Sequence, residues 1–107
     1  MKKILIVEDD EFLRSLNAKR LEADGYQVVV AIDGQEAIDM IPKELPDLIF
    51  LDLLLPNVNG FTVLEKIKAD EKTKGIPVVV FSNLGQKEDI AKKKILIRPE
   101  VWVLWII

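Results

Sequence analysis

Acidic side chains follow two of the apolar runs of this chain, at positions where they could form one reactive site. Glu8, Asp9 and Asp10 follow one run, Asp52 follows another, and Ser82 ends a third. If these runs are neighbouring parallel strands, their carboxyl ends meet at one edge of a sheet, and the carboxylates repel one another unless a cation compensates. Oxygen ligands favour Mg²⁺, and a carboxylate beside that ion can attack a phosphoryl group. The pattern therefore predicts a magnesium site with Asp52 as phosphoryl acceptor.

Each of these residues also has a simpler interpretation. Asp9 or Asp10 can cap a helix, and Glu8 can be a solvated acid at the end of a strand. Asp52 can begin a turn, and the Ser82 hydroxyl can bond to local backbone. Two acidic strand ends and one hydroxyl together favour the shared site over these separate roles.

Composition narrows the classes of function. The chain has 107 residues, a net charge of −3, no Cys and no His. One domain is expected, without disulfides, thiol or imidazole catalysis, or a Cys/His zinc site. The negative charge argues against nucleic-acid binding by this chain. Neither a secretory signal nor an apolar run of membrane-spanning length is found, so we expect a soluble cytoplasmic protein without membrane contact.

The elements that position the acids alternate along the chain. Short apolar runs predict strands at 4–7, 26–31, 47–51 and 78–81. Helical patterns fall at 11–24, from 33, at 60–70 and from 86 to 94. Strands that are apolar throughout, rather than at every second position, are typical of parallel sheets covered on both faces. The expected class is α/β, a three-layer doubly wound parallel sheet.

Helix boundaries are marked by capping residues. Asp33 and Glu36 have the spacing of a capping box, and Gly25 stands where a helix-ending glycine is expected. Pro42 and Pro46 are predicted to bracket the exit of the second helix. The first helix is predicted from the helical spacing of its apolar residues: Phe12, Leu13, Leu16, Ala18 and Leu21.

Three segments resemble the receiver domain of two-component response regulators, of the chemotaxis-regulator type: ILIVEDDEFLRSLN, DLIFLDLLLPNVNGFTVLEKIK and IPVVVFSN. Asp52, Pro56 and Gly60 have the spacing of that family's acceptor motif. The resemblance runs from Lys3 to about Lys94. It implies a flavodoxin-like fold with strand order 2-1-3-4-5.

The resemblance also implies roles for individual residues. Asp52 would be the phosphoacceptor, and Mg²⁺ would be held by Glu8, Asp9, Asp52 and the backbone carbonyl of Leu54. Ser82 would be the switch hydroxyl that moves to bind the phosphoryl oxygens.

Asn83 follows that hydroxyl, at a position where small residues are common in the family. Its larger side chain is expected to restrict access to the pocket. Pro56 and Gly60 would shape the loop after the third strand.

The family takes its phosphoryl group from a histidine kinase or a phosphotransfer protein. Phosphorylation shifts an equilibrium between two conformations, which the fourth helix, fifth strand and fifth helix report. Such a protein catalyses only its own phosphorylation and dephosphorylation and is not otherwise an enzyme.

The tail departs from the family pattern, so we divide the chain into a receiver core, 1–94, and an atypical apolar tail, 95–107. The family's strand-five lysine has no match near Val103–Trp105, and Arg98 comes too early to replace it. No fifth helix follows. The alternative function is therefore a truncated or degenerate receiver that binds or assembles without a phospho-switch.

Two origins remain open for this tail. It can be a native variant fifth strand that pairs with the fourth strand or exchanges with a second chain in a homodimer. Alternatively, codons for 101–107 read in another frame resemble the family's segment before strand five, which suggests a frameshift after about Lys94. Sequencing the coding DNA distinguishes the two.

Overall fold

The computed structural model describes residues 1–53, 55, 58–83 and 101–106. In chain order the elements are β1 (Lys3–Val7), α1 (Glu11–Ala23), β2 (Gln27–Ala31), α2 (Gly34–Glu44), β3 (Leu48–Asp52), α3 (Gly60–Ala69), β4 (Val78–Asn83) and β5 (Val101–Ile106). None of these helices is both long and apolar enough to cross a membrane. The helix predicted from 86, and Arg98, lie outside the described residues.

The strands form one parallel sheet in the order β2-β1-β3-β4-β5. This confirms the predicted doubly wound topology. The tail segment Val101–Ile106 is its fifth strand and pairs along β4 from Val78 to Asn83.

The main core lies between the sheet and helices α2 and α3. It contains inward side chains from the central strands and these two helices: Leu5, Val7, Ile49, Leu51, Val78, Val80, Ala37, Ile41, Val63 and Ile67. Full burial of one such aliphatic side chain contributes about 1.5–3 kcal/mol. In β1, Ile4–Val7 are all buried, which confirms the expectation of a strand covered on both faces.

Helix α1 lies on the opposite face of the sheet and contributes no residue to that core. The apolar residues whose spacing predicted this helix are largely exposed, since Phe12 is 72% and Leu13 43% exposed. The helix packs mainly against the edge strand β2. Among the described elements no second helix flanks it on this face, so these apolar side chains remain uncovered.

The capping residues act largely as predicted. Asp10 Oδ1 accepts from the Leu13 N–H at 3.0 Å, and Asp33 Oδ1 accepts from the Glu36 N–H at 2.8 Å. The Glu36 carboxylate accepts from the Ile32 N–H at 3.1 Å. In a standard capping box it would accept from the N–H of the cap residue, Asp33, so this bond is displaced by one residue.

The exit of α2 differs from the prediction. Pro42 lies inside the helix, which continues to Glu44 and ends at Leu45 in a left-handed conformation with φ of 43°. The Leu45 N–H closes the last turn on the Ile41 carbonyl at 2.9 Å. A proline near a helix end removes only one late backbone bond, so the helix tolerates it.

Helix α1 ends as predicted at Gly25, whose φ is +95°. The Gly25 N–H donates to the Glu22 carbonyl at 3.0 Å, and the Tyr26 N–H donates to the Leu21 carbonyl at 3.1 Å. This pair of bonds is a Schellman motif, and it turns the chain into β2.

Candidate functional site

Three carboxylates meet at the carboxyl edge of the sheet. Glu8 and Asp9 follow β1, and Asp52 is the last residue of β3. One oxygen from each of the three side chains lies within 4.8 Å of the other two. Glu8 is 2% and Asp52 5% exposed, whereas Asp9 faces solvent. We call these three residues the acidic cluster.

The register of the parallel strands produces this cluster. Val7 of β1 is paired with Leu51 of β3, so the next residue of each strand, Glu8 and Asp52, is delivered to the same edge. The Glu8 N–H bonds to the Ala31 carbonyl at 3.1 Å, which fixes that backbone position against β2. The acids therefore lie together because of strand pairing and not because of local sequence.

The environment of Glu8 favours its protonated form. Burial raises the pKa of Glu8 from 4.5 to about 8. The hydrogen bond from the Asp10 N–H, at 3.2 Å, acts in the opposite direction, and the nearby charge of Asp52 raises the pKa further. The interpretation of Glu8 as a solvated acid is thus wrong, since its side chain is buried. The simple interpretation of Asp10 is right, because this residue caps α1.

The cluster has the donors that a hard divalent cation needs. Mg²⁺ holds oxygen ligands at about 2.0–2.1 Å and usually keeps several waters, so carboxylates whose oxygens lie within 4.8 Å of one another could share one ion directly or through its waters. A buried carboxylate that resists ionisation is also the group that gains most from a neighbouring cation. The residues therefore fit magnesium chemically.

The loop after β3 is held by two close backbone approaches. The Gly60 N–H donates to the Leu53 carbonyl at 3.0 Å. A Cβ on Gly60 would lie 2.5 Å from the carbonyl oxygen of Asp52, and one on Gly34 would lie 2.1 Å from that of Val58. Glycine at 60 therefore lets α3 begin directly against the strand end that bears the Asp52 carboxylate.

The other predicted site residues differ in how far the structure describes them. Leu54 and Pro56 lie outside the described residues. Ser82 and Asn83 are the last residues of β4, and by register Ser82 is paired with Trp105 of β5. Strand β5 has the sequence VWVLWI and contains no lysine.

Sequence reasoning missed two residues that contact the site's backbone. Gly34 lies against Val58, as described above, and Arg14 Nη1 donates to the carbonyl of Glu8 at 3.0 Å. The sequence contained a signal for Arg14. A cation close to a helix N-terminus interacts unfavourably with the helix dipole, so its presence there indicates a compensating contact. No comparable local signal marks Gly34.

Comparisons with known proteins agree with the observed fold. The family model described as "Response regulator receiver domain" matches residues 4–96. RpaA of Synechocystis sp., a "DNA-binding dual master transcriptional regulator", is 44% identical over 83% of this chain and 37% of its own length. The polar-differentiation response regulator DivK of Brucella ovis is 38% identical over 82% of this chain and 72% of its own length. The chain thus spans well under half of RpaA.

A solved structure is similar in fold and contains a metal ion. It is the receiver domain of the sensor histidine kinase PA1611 from Pseudomonas aeruginosa, with a magnesium ion coordinated in its active-site cleft. The TM-score is 0.78 at 26% sequence identity, over 84% of this chain and 74% of that one. The sheet order and the acidic cluster are consistent with the match to the family model. This chain therefore belongs to the family of response regulator receiver domains.

Proposed function

We propose that the chain is a phosphorylatable receiver of a two-component phosphorelay, with Asp52 as phosphoacceptor. Mg²⁺ would be held by Glu8, Asp9, Asp52 and the backbone carbonyl of Leu54. The observation that carries this proposal is the acidic cluster, whose oxygens lie within 4.8 Å of one another at the edge of the sheet. The repulsion among three carboxylates this close is relieved by a proton on Glu8 or by a cation, and Asp52 would supply an oxygen nucleophile beside that cation.

The proposed reaction is transfer of one phosphoryl group. A carboxylate oxygen of Asp52 attacks the phosphorus of a phosphohistidine in a histidine kinase or phosphotransfer protein. The new bond is an acyl phosphate, the phosphorus–nitrogen bond breaks, and the imidazole leaves with the bonding electron pair. Bound Mg²⁺ supplies positive charge that offsets the charge on the transferring group. The chain thereby catalyses only its own phosphorylation and, with water, its own dephosphorylation.

Ser82 is the proposed switch hydroxyl. Asp52 is paired with Phe81 of β4, so the following residue, Ser82, comes from the neighbouring strand end. Movement of this hydroxyl toward the phosphoryl oxygens would bias the domain toward a second conformation. Asn83 would restrict access to the same pocket, and Pro56 would shape the loop.

Incubation with Mg²⁺ and a small phosphoryl donor such as acetyl phosphate tests this function. Intact-mass spectrometry should show the gain of one phosphoryl group in the wild-type chain and none in Asp52→Asn. Asp39→Asn is the matched control, because Asp39 is an exposed acid on α2 that binds Gln35. A gain of phosphoryl mass in Asp52→Asn would contradict the proposal. An equal gain by the wild-type chain with Mg²⁺ and with EDTA would also contradict it.

A degenerate receiver is the second candidate, and β5 favours it. The family's strand-five lysine would pair with the phosphoryl group, but Trp105 occupies the register of Ser82. Such a chain would keep the fold and the metal pocket and act as a binding or assembly module. Magnesium binding without any mass gain in the experiment above would support this function instead.

We also propose a cytoplasmic protein whose partner is the phosphoryl donor, without nucleic-acid or membrane binding by this chain. A homodimer through the tail, 95–107, stays a prediction alongside the pairing of β5 with β4. Light scattering that shows only monomer would count against that dimer.

A further inference from the structure

The guanidinium of Arg14 contacts the backbone that carries two of the three cluster acids. Its Nη1 donates to the Glu8 carbonyl at 3.0 Å and to the Asp9 carbonyl at 3.3 Å. Both carbonyls lie beyond Val7, the last residue of β1 paired with β2 and β3. The Glu8 N–H still bonds to the Ala31 carbonyl of β2, but beyond that bond a side chain from α1 holds the chain.

One of these contacts acts through a rigid peptide group. The Asp9 carbonyl and the Asp10 N–H belong to the same planar trans peptide and point in opposite directions. On one side of this peptide the carbonyl accepts from Arg14, and on the other the N–H donates to Glu8 Oε2 at 3.2 Å. Rotation that released the carbonyl from Arg14 would also turn the N–H away from the Glu8 carboxylate.

We propose that Arg14 is a positioning residue of the acidic cluster, which fixes the Asp9–Asp10 peptide so that the carboxylates of Glu8 and Asp9 are preorganised for a divalent cation. This inference rests on the proposed function, since it concerns the same magnesium site. Charge-assisted hydrogen bonds to a planar guanidinium are suited to fixing backbone in this way. Partners that orient metal ligands commonly change metal affinity by 10-fold or more.

The sign of the effect separates positioning from simple electrostatics. A positive charge near a cation site repels the cation, so removal of Arg14 would strengthen magnesium binding if charge alone mattered. If Arg14 instead orients the ligands, its removal weakens binding. The two explanations therefore predict opposite changes in the dissociation constant.

The experiment compares Arg14→Gln with Arg20→Gln by isothermal titration calorimetry with MgCl₂. Arg20 lies in the last turn of α1, so both variants remove one positive charge from the same helix. We expect Kd to rise about 10-fold in Arg14→Gln and to change less than about twofold in Arg20→Gln. Equal affinities in the two variants, or tighter binding by Arg14→Gln, would overturn the proposal.

Hydrogen exchange followed by NMR gives a second readout in the magnesium-free protein. The Asp10 amide should exchange faster in Arg14→Gln, whereas the Leu13 amide, which donates to Asp10 Oδ1, should not change. Faster exchange at both amides would mean general fraying of α1 and would contradict the specific role of Arg14. If the wild-type chain bound no magnesium, the proposed function would fail, and the exchange experiment would still decide whether Arg14 holds this peptide.

Discussion

Removing magnesium and raising the pH should destabilise this fold through Glu8. The pKa of Glu8 is raised from 4.5 to about 8 in the folded chain, chiefly by burial. A carboxyl group with a raised folded-state pKa contributes stability that is fully present below its unfolded pKa and is lost as the pH rises through the folded value. The affected window is therefore about pH 4.5 to pH 8.

The size of the effect follows from this shift. Each pH unit between the two pKa values lowers the free energy of unfolding by about 1.4 kcal/mol. From about pH 6 to about pH 8 the magnesium-free chain should lose about 2–3 kcal/mol through this group, or about 10 °C in Tm. The measurement is urea denaturation, followed by far-UV circular dichroism, across this range.

Glu8→Gln is the matched variant, because it keeps the size of the side chain and cannot ionise. The chain has no His or Cys, and the variant keeps the amino terminus, so the difference between the two profiles isolates Glu8. Saturating Mg²⁺ should remove the loss in the wild-type chain, since metal binding displaces the proton. If the free energy of unfolding changed with pH in the same way for the wild-type chain and Glu8→Gln without magnesium, the pH dependence could not come from the Glu8 carboxyl group.

Two further predictions concern the loop after β3 and the tip of β5. Gly60→Ala should destabilise the fold by about 2 kcal/mol or more and weaken magnesium binding, because its Cβ would lie 2.5 Å from Leu53 Cα and from the Asp52 carbonyl. Gly75→Ala, where a Cβ meets nothing within 4 Å, is the thermal-unfolding control, and equal losses in both would contradict this reasoning. Trp105→Lys should raise the rate of phosphorylation by acetyl phosphate, because it places a cation at the register of Ser82; an unchanged rate, followed by mass spectrometry, would count against a missing-lysine defect.

The strands could be predicted because their signals are local, and the acidic cluster could be predicted from how those strands pair. The run Ile4–Val7 is apolar at every position, which favours a strand buried on both faces, and the structure buries all four residues. When β1 and β3 are parallel neighbours, an acid after β1 and an acid at the end of β3 must approach each other. The proximity of Glu8 and Asp52 therefore followed from topology without any knowledge of side-chain contacts.

The remaining features depend on contacts between elements, which leave little trace in local sequence. Phe12 has the spacing of an inward residue, but its exposure depends on what else covers that face of the sheet. Gly34 is required only because Val58, far along the chain, approaches the start of α2. Pro42 looks like a helix terminator, although α2 tolerates it near the end. For Phe12 and Gly34 the deciding neighbours are distant in sequence, whereas Pro42 is tolerated because it lies close to the helix end.

The same burial explains both the reluctance of Glu8 to ionise and its fitness as a metal ligand. Low exposure, 2% for Glu8 and 5% for Asp52, removes the water that would stabilise separate negative charges. A proton on Glu8 reduces the charge of the cluster, and the proposed Mg²⁺ would reduce it further, so proton and magnesium would compete for one site. The attraction between the cation and ionised carboxylates is also stronger where water is excluded. Magnesium affinity, and with it phosphorylation of Asp52, should therefore increase as the pH rises toward the pKa of Glu8, about 8.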